Sequence, residues 1–480
     1  MAERARQPRC FQGAARMNPA APAQTEFAVP FREALRFWFK LGFISFGGPA
    51  GQIAIMHREL VERRGWVSEK RFLHALNFCM LLPGPEAQQL ATYLGWLMHK
   101  TRGGIAAGLL FVLPSLLMLI ALSWVYMAWG TQPLVAALFY GIKPAVAAIV
   151  LHALHRIGSK SLGPPRQLPV PWAIAVLSFL AIAVFGMPFP AVVLAALLTG
   201  ALLARFAPAA LGGGGGGSGH APVPEGGRNA ALIDDDSATP EHARFKRTRL
   251  LRVLLAGALL WTLPMAALWL SQGWQHTLTQ MGWFFTKAAL LTFGGAYAVL
   301  PYVNQAAVEH YQWLSTGQMM DGLALGESTP GPLIMVVAFV GFVGGWVKQV
   351  AGPDALFLGA ALAAFVATWF TFLPSFIFIL AGGPWVESTR GNLRLTLPLA
   401  AVTAAVVGVI ANLALFFWMA VAFPATPAHP KMPWLQPPDL LALVLAVLAV
   451  LALWRLQWSV MRVIGVCALA GLLLRWPGLG

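Results

Sequence analysis

The stretch FKLGFISFGGP, residues 39–49, places a lysine inside an apolar run that ends in a Gly-Gly-Pro break. Glycine allows unusual backbone angles, and proline lacks the amide hydrogen that a helix interior needs. We therefore expect a helix to end at this motif rather than to continue through it. A cation so close to the break makes the stretch a candidate site for a negatively charged ligand.

The composition around this stretch is that of a membrane protein. The 480 residues are 58% hydrophobic and 11% charged, with a mean hydropathy of +0.68. Apolar runs such as residues 105–129 exceed the length of about 20 helical residues that crosses a bilayer. The formal net charge is +15, and the Lys and Arg residues lie mostly between such runs. Positively charged cytoplasmic loops explain this distribution, so it does not indicate a nucleic-acid partner. We predict an all-α polytopic membrane protein in contact with lipid.

The chain contains an internal repeat. A shift of 247 positions aligns Lys40 with Lys287 without a gap across the motifs that follow. The repeated motifs are Phe-Gly-Gly at 46–48 and 293–295, Pro-Gly-Pro at 83–85 and 330–332, and Leu-Pro-Ser at 113–115 and 373–375. The last pair is 260 apart, which predicts a 13-residue insertion near residues 348–359. Two tandem homologous halves are expected.

Charge in the connecting loops predicts how the halves are oriented. Residues 57–71 carry five Lys or Arg, whereas the matching residues 304–318 carry none. A second pair of loops has the opposite bias, since residues 130–133 lack a cation and their counterpart contains Arg390 and Arg394. Because cytoplasmic loops are the positive ones, the two biases together predict an inverted repeat.

Domain boundaries follow from the inversion and from composition. An inversion needs one additional crossing, and residues 250–270 form an apolar run without a counterpart in the first half. We expect a disordered basic cytoplasmic tail at 1–30, a first repeat at 31–205, a Gly-rich polar cytoplasmic linker at 206–249, and a second repeat at 271–480.

The Gly-Gly and Pro-Gly-Pro motifs are predicted to divide re-entrant segments into half-helices that meet inside the membrane. Residues 71–100 have basic residues at both ends, so both ends are expected on one face. Interrupted helices at matching positions of two halves point to the substrate site of a transporter. Free N–H groups at a helix start bind anions, and proline is well tolerated there. An ordinary proline-kinked helix is the alternative for each break taken alone.

The candidate functional residues lie at these breaks. Lys40 and Lys287 are expected to attract a dianion from either face, with snorkelling to the membrane interface as the alternative. Glu86 and Glu327 are candidates for proton coupling, with an exposed carboxylate at a water-filled mouth as the alternative. The remaining candidate ligands of the substrate are Ser45, Gly47, Gly48, Pro49, Gly84, Pro85, Gln88, Gly294, Gly295, Thr329 and Gly331.

Enzymatic and metal chemistry have no support in the sequence. Cys10, Cys79 and Cys467 are far apart and show neither metal-site spacing nor a disulfide framework. The chain has no H-E-x-x-H motif, no P-loop and no G-x-S-x-G in a suitable context. We therefore predict no catalytic residue, no metal site and no cofactor.

These motifs resemble the chromate ion transporter family in its long, two-domain form. The likeness spans residues 32 to about 475 and rests on SFGGPAGQIAIMHRELVERRGWVSEKRF, LLPGPEAQQLATYLG, LTFGGAYAVLPYV and LALGESTPGPLIMVVAFVGF. It implies a secondary transporter of the cytoplasmic (inner) membrane that expels chromate, confers chromate resistance and uses the proton-motive force. Transport of sulfate or another oxyanion and passive anion conduction are the alternatives, and a homodimer is an alternative to a monomer.

By motif position, the resemblance implies functional roles for the glycines and prolines of the breaks, for Gln88 and for Glu327. Pro83, Pro330 and Pro332 join the candidates on the same ground. The long Gly-rich linker and the extended basic N-terminus depart from the family pattern.

Overall fold

The computed structural model describes most of the chain and is helical. The described residues are 29–46, 48–207, 232–233, 241–293, 295–388, 396–424 and 437–475. Some predicted features lie outside them, namely Gly47, Gly294, Arg390, Arg394, residues 1–28 of the tail and most of the linker. Within the described ranges the regular structure consists of helices and one isolated β-bridge, so the all-α prediction is confirmed there.

The helices fall into two series separated by a single helix. The first half contains α1 (Phe31–Ile44), α2 (Gly48–His57), α3 (Glu69–Leu81), α4 (Glu86–Trp129), α5 (Pro133–Ser161), α6 (Pro169–Ala183) and α7 (Phe189–Phe206). Helix α8 (Arg247–Gln272) stands between the halves. The second half contains α9 (Thr277–Leu291), α10 (Ala296–Asn304), α11 (Thr316–Ser328), α12 (Val336–Val347), α13 (Leu356–Ser388), α14 (Thr396–Ala422), α15 (Leu440–Trp454) and α16 (Val460–Leu474).

Within the described ranges, six helical segments are long and apolar enough to cross a membrane. They are Glu86–Trp129, Pro133–Ser161, Phe189–Phe206, Arg247–Gln272, Pro353–Glu387 and Pro398–Ala422. Helix α8 shows the character of their outer surface, because only 11% of its most apolar window is buried and Leu259 and Leu263 are exposed. An apolar surface of this extent requires lipid or another protein against it.

The two halves repeat the same elements at one spacing. Helices α1 and α9 end at Ile44 and Leu291, and each half then has a short helix that continues into a π-helical turn, Arg58–Arg63 or Gln305–His310. These ends and turns are 247 residues apart, as are the bounds of α3 and α11. The insertion predicted near residues 348–359 forms the turn between α12 and α13, where the first half has only a short non-helical break inside α4, at His99 and Lys100.

Packing interleaves the halves. Ile379 and Leu380 of α13, from the second half, are buried in the core formed by the first half around Tyr93. In the converse arrangement, Val112 and Leu116 of α4 are buried in the core of the second half. Because each hydrophobic core contains side chains from both halves, burial ties the halves together along their length.

Two short parts of the linker pack against the first half. Backbone N–H groups of Leu232 and Ile233 donate to Gly65 and Trp66, and the Ser68 N–H donates back to the Ile233 carbonyl at 3.0 Å. A short 3₁₀ turn, Glu241–Ala243, lies against α4 and α13. Helix α8 then begins at Arg247, inside the range assigned to the linker from sequence.

Candidate functional site

The Phe-Gly-Gly motifs interrupt helices in both halves. Helix α1 ends at Ile44, and α2 begins at Gly48 with a φ of 68°. Helix α9 ends at Leu291, and Gly295, with a φ of 93°, precedes α10. These positive φ angles are accessible to glycine at little cost, which is why the sequence can turn sharply here.

The Pro-Gly-Pro motifs produce the second pair of interruptions. Helix α3 ends before the first motif, where Gly84 has a φ of 127°, and α4 starts directly after Pro85. In the second half, Gly331 has a φ of 114° between α11 and the turn that opens α12. The interruptions predicted from proline and glycine are therefore present.

The four interruptions cross reciprocally. The N–H of Gly84 donates to the carbonyl of Thr292 at 2.8 Å, and the N–H of Gly331 donates to the carbonyl of Ser45 at 2.9 Å. Ser45 and Thr292 are repeat equivalents, as are Gly84 and Gly331. Each Pro-Gly-Pro therefore pairs with the Phe-Gly-Gly break of the other half, and we call this arrangement the crossing.

Two buried glutamines reinforce the crossing. The Gln52 side-chain amide donates to the Gly331 carbonyl at 2.5 Å and to the Ser45 carbonyl at 3.3 Å. The Gln89 amide donates to the Pro83 carbonyl at 2.8 Å. Sequence reasoning missed Gln52, although a lone amide in the otherwise apolar GPAGQIAIM run indicates a buried polar role.

Several helix starts at the crossing have free amide donors. Pro85 precedes α4, Gly295 precedes α10 and Pro332 precedes the Leu333–Met335 turn, and none of these positions is capped by a side chain. The first N–H groups of a helix have no intrahelical partner, and the helix dipole is positive at that end. The crossing can thus present backbone donors and positive potential to an anion.

Both candidate acids lie beside these breaks. Glu86 is the first residue of α4, and its Oε1 is 3.8 Å from the position that a Cβ on Gly295 would occupy. Glu327 is 9% exposed, and Tyr297, which follows the second Phe-Gly-Gly, donates its hydroxyl hydrogen to the carboxylate. The structure therefore brings one carboxylate from each half to the crossing.

The predicted hydroxyl ligands bond to their own helices. Ser45 donates to the Leu41 carbonyl at 2.6 Å, and its equivalent Thr292 donates to Ala288 at 2.6 Å. Thr329 donates to the Gly326 carbonyl at 3.1 Å. A hydroxyl has one hydrogen to donate, so these side chains are left as acceptors. An oxyanion also accepts, and its donors would be backbone amides or the side-chain amide of Gln88.

The two lysines lie on outer faces. Lys40 is exposed, whereas Ser45, about 140° away around the same helix, is buried. Lys287 is half-buried, with its Nζ 5.8 Å from the centre of the Trp283 ring, and Trp283 is itself exposed. The structure therefore brings the breaks and the acids together but leaves both lysines at the periphery.

Within the described residues, no group of three or more His, Cys, Asp or Glu side chains is arranged to hold a metal ion. Cys79 and Cys467 are buried and unpaired by disulfides.

Comparison with known proteins identifies the family. The profile described as "Chromate transporter" matches residues 32–201 and 279–472, one segment in each half. A chromate transport protein of Pseudomonas aeruginosa is 34% identical over 404 residues, covering 82% of this chain and 83% of that protein. A chromate transport protein of Cupriavidus metallidurans is 30% identical over 395 residues, with coverage of 82% and 83%. No solved structure matches the chain.

A shorter relative supports the tandem organisation. The uncharacterized transporter YwrA of Bacillus subtilis is 28% identical over 169 residues, which cover 93% of that protein and 35% of this chain. The half-repeat therefore also exists as a separate polypeptide. With both halves matched and helices able to span a membrane, this multi-pass protein belongs to the chromate transporter family and is a transporter rather than an enzyme.

Proposed function

We propose that the protein exports chromate across the cytoplasmic (inner) membrane as a secondary active transporter driven by the proton-motive force, conferring chromate resistance. The observation that carries the proposal is the reciprocal pairing of Gly84 with Thr292 and of Gly331 with Ser45. Interrupted helices at the interface of two repeats are the usual location of a transporter's substrate site. The named relatives supply the substrate, a tetrahedral dianion.

The proposed binding site uses the backbone of the crossing. Free backbone N–H groups in the first turns that begin at Glu86, Ala296 and Leu333 would donate to the oxygens of the dianion, and the positive ends of the helix dipoles would stabilise its charge. Gly48, Gly84, Gly295 and Gly331 bring the backbone close to the ligand because they lack side chains. Gln88 would add a side-chain amide donor, Pro49, Pro85, Ser45 and Thr329 shape these turns, and Gly47 and Gly294 complete the two motifs in sequence.

The proposed topology is an inverted repeat with re-entrant half-helices. Five cations in residues 57–71, against none in residues 304–318, support a cytoplasmic first loop and an external second loop. In this topology, helix α8 is the additional membrane-spanning helix that the inversion requires. Alternating access then follows if the two repeats tilt in turn around the crossing.

Proton coupling is proposed for Glu86 and Glu327. Each carboxylate lies beside an interrupted helix, where a negative charge would oppose a bound dianion. The charge state of these acids would therefore change the affinity for the dianion, and their protonation is proposed to couple its release to the proton gradient. Lys40 and Lys287 are proposed to act at longer range, raising the local concentration of anions near the two membrane faces.

Everted membrane vesicles provide the test. We expect uptake of radiolabelled chromate when respiration makes the vesicle interior acidic, and loss of accumulation on addition of an uncoupler. Vesicles from cells lacking the protein are the control. Chromate accumulation that persists with the uncoupler would contradict proton coupling. Uptake that stops when chromate is equal inside and outside the vesicle would indicate a passive channel. Complete competition by sulfate, with faster sulfate uptake, would make sulfate the physiological cargo.

A further inference from the structure

A buried ion pair joins the halves away from the crossing. The Arg71 Nη2 of α3 lies 2.8 Å from the Glu387 Oε2 of α13, and both side chains are fully buried. The hydroxyl of Tyr93, on α4, donates to the other oxygen of Glu387. We call Arg71, Glu387 and Tyr93 the α3–α13 lock.

A second polar cluster, built around the buried Asp321, joins the halves at another position. Asp321 of α11 is 3% exposed and accepts a hydrogen bond of 2.9 Å from the Tyr126 hydroxyl of α4. The Lys143 Nζ of α5 lies 3.9 Å from the same carboxylate oxygen, and within the described residues Asp321 Oδ1 has no hydrogen-bond donor. We call Asp321, Tyr126 and Lys143 the α11–α4 lock.

The two locks occupy related positions in the repeat. Helices α3 and α11 are equivalent, and α13 is equivalent to the second part of α4, as the Leu-Pro-Ser triplets show. Ser375 of α13 lies against Gly84 at the crossing, and Ser115 of α4 lies against Gly331. Each of these serines therefore fixes where its helix passes the crossing.

The two locks lie at similar distances from the crossing, measured along α13 and α4 from Ser375 and Ser115. Glu387 follows Ser375 by 12 residues and Tyr126 follows Ser115 by 11. At 1.5 Å per residue both locks lie about 17 Å along the helix from the crossing. Helices α3 and α11 begin near the locks and end just before the Pro-Gly-Pro motifs, so each lock lies at one end of a helix whose other end reaches the crossing.

The locks face opposite sides in the proposed topology. Helix α3 begins just after Trp66, in the loop with five cations that we place in the cytoplasm. Helix α11 begins just after Trp313, in the loop without Lys or Arg that we place outside. The α3–α13 lock therefore lies toward the cytoplasm and the α11–α4 lock toward the exterior.

We infer that the two locks are the inner and outer gates of the transport cycle, and that they open in alternation. This inference rests on the proposed function and adds gating residues to it. Both gates are closed in this structure, since both polar clusters are formed. Buried charges separate at low cost only when water replaces the partner, so each lock has a dry closed state and a wet open state.

Side-specific thiol labelling tests the gates in the full-length protein. Cys10, Cys79 and Cys467 are replaced by alanine, and Ser375→Cys or Ser115→Cys serves as reporter, because both serines are 1% exposed. A membrane-impermeant maleimide is applied to everted or right-side-out vesicles. We expect Glu387→Gln to raise labelling from the cytoplasmic side by about fivefold or more, and Asp321→Asn to do so from the external side.

A matched control and a second variant keep the test decisive. Arg63→Gln breaks a solvent-exposed pair with Glu59 and is expected to leave labelling unchanged. If Glu387→Gln does not reach the membrane, Tyr93→Phe removes one hydrogen bond of the same lock and is expected to raise labelling from the same side. Exchange of the pair, Arg71→Glu with Glu387→Arg, is expected to restore low labelling.

Unchanged labelling in the lock variants, or an increase from the same side in both, would overturn the gates. The measurement needs no chromate, so it separates this inference from the cargo. Vesicles that fail to accumulate chromate while showing the expected labelling would overturn the proposed cargo and leave the gates standing. Coupled chromate uptake with no change in labelling would support the proposed cargo and contradict the gates.

Discussion

Gly84 and Gly331 adopt φ angles of 127° and 114°, which residues with a side chain rarely occupy. Their surroundings add a second constraint. A Cβ at Gly84 would lie 2.6 Å from Gln89 Nε2, and one at Gly331 would lie 2.6 Å from the Cβ of Ser115. Conformation and space together therefore require glycine at both positions.

We predict that Gly84→Ala and Gly331→Ala each destabilise the protein by about 1–3 kcal/mol, from backbone strain and overpacking. Chromate uptake by everted vesicles should fall with them, because the crossing would be displaced. Thermal unfolding in detergent and the vesicle assay measure the two effects. Gly186→Ala is the control, since Gly186 has a φ of 61° but nothing within 4 Å of its Cβ position. If Gly186→Ala lost as much stability and uptake as the two other variants, crowding around the added Cβ would not explain their effect.

The peripheral lysines make a different prediction. Lys40→Gln and Lys287→Gln should raise the KM for chromate about 2- to 5-fold with little change in kcat, because the lysines attract the dianion without holding it. Added salt should remove the difference, since screening shortens the range of the attraction. Lys→Arg at each position keeps the charge and serves as the control. Undiminished uptake in both Gln variants would remove the lysines from the mechanism.

At the scale of elements, the linker turn at Glu241–Ala243 is docked by one histidine. His242 Nε2 lies 3.0 Å from the Trp96 carbonyl of α4, and Arg249 donates to the His242 carbonyl. Burial lowers the pKa of His242 below its usual value of 6.5, with Arg249 and Lys100 adding to the shift and the carbonyl contacts opposing it. The docked state therefore favours the neutral ring, which donates to the Trp96 carbonyl through Nε2.

We predict that the linker turn undocks as the pH falls below about 6.5. The undocked histidine binds a proton at a higher pH than the docked one, so docking is stable above that pH and weakens as acid is added. Hydrogen exchange of residues 241–243, corrected for its intrinsic pH dependence, should be faster at low pH, whereas α12, which contains no histidine, should not respond. A response that persists in His242→Gln would exclude this histidine as the cause.

At the scale of the whole molecule, the hydrophobic core of each half also contains side chains from the other half. Helix α13 contributes Ile379 and Leu380 to the core of the first half, and α4 contributes Val112 and Leu116 to that of the second. Each of the two backbone hydrogen bonds of the crossing joins a motif of one half to a motif of the other. Two separate half-repeats would consequently have to associate to make a site.

We predict that a chain cut at Gly217 in the Gly-rich linker still transports chromate when both fragments are co-expressed. Each fragment alone should aggregate or be degraded, because the apolar side chains that pack against the other half would be exposed. Co-purification through a tag on one fragment, with vesicle uptake, measures assembly. An intact chain with the same tag is the control. Either fragment purifying alone as a stable monomer would contradict the interleaved architecture.

The sequence determined the local features of this protein. Apolar runs predict helices, because a backbone in lipid must satisfy its own hydrogen bonds. Proline and glycine predict where those helices end, and the breaks at Phe46 and Gly84 lie at the predicted motifs. The repeat is visible as soon as the chain is compared with itself. Each of these features depends on neighbouring residues or on simple periodicity.

Only the tertiary structure decided which parts meet. Pairing of each Pro-Gly-Pro with the opposite Phe-Gly-Gly depends on packing across more than two hundred residues of chain. The same packing buries Gln52, places Asp321 against Tyr126, and turns Lys40 outward. No local sequence pattern shows which side chains meet, because the contacts of a side chain depend on which other helix packs beside it.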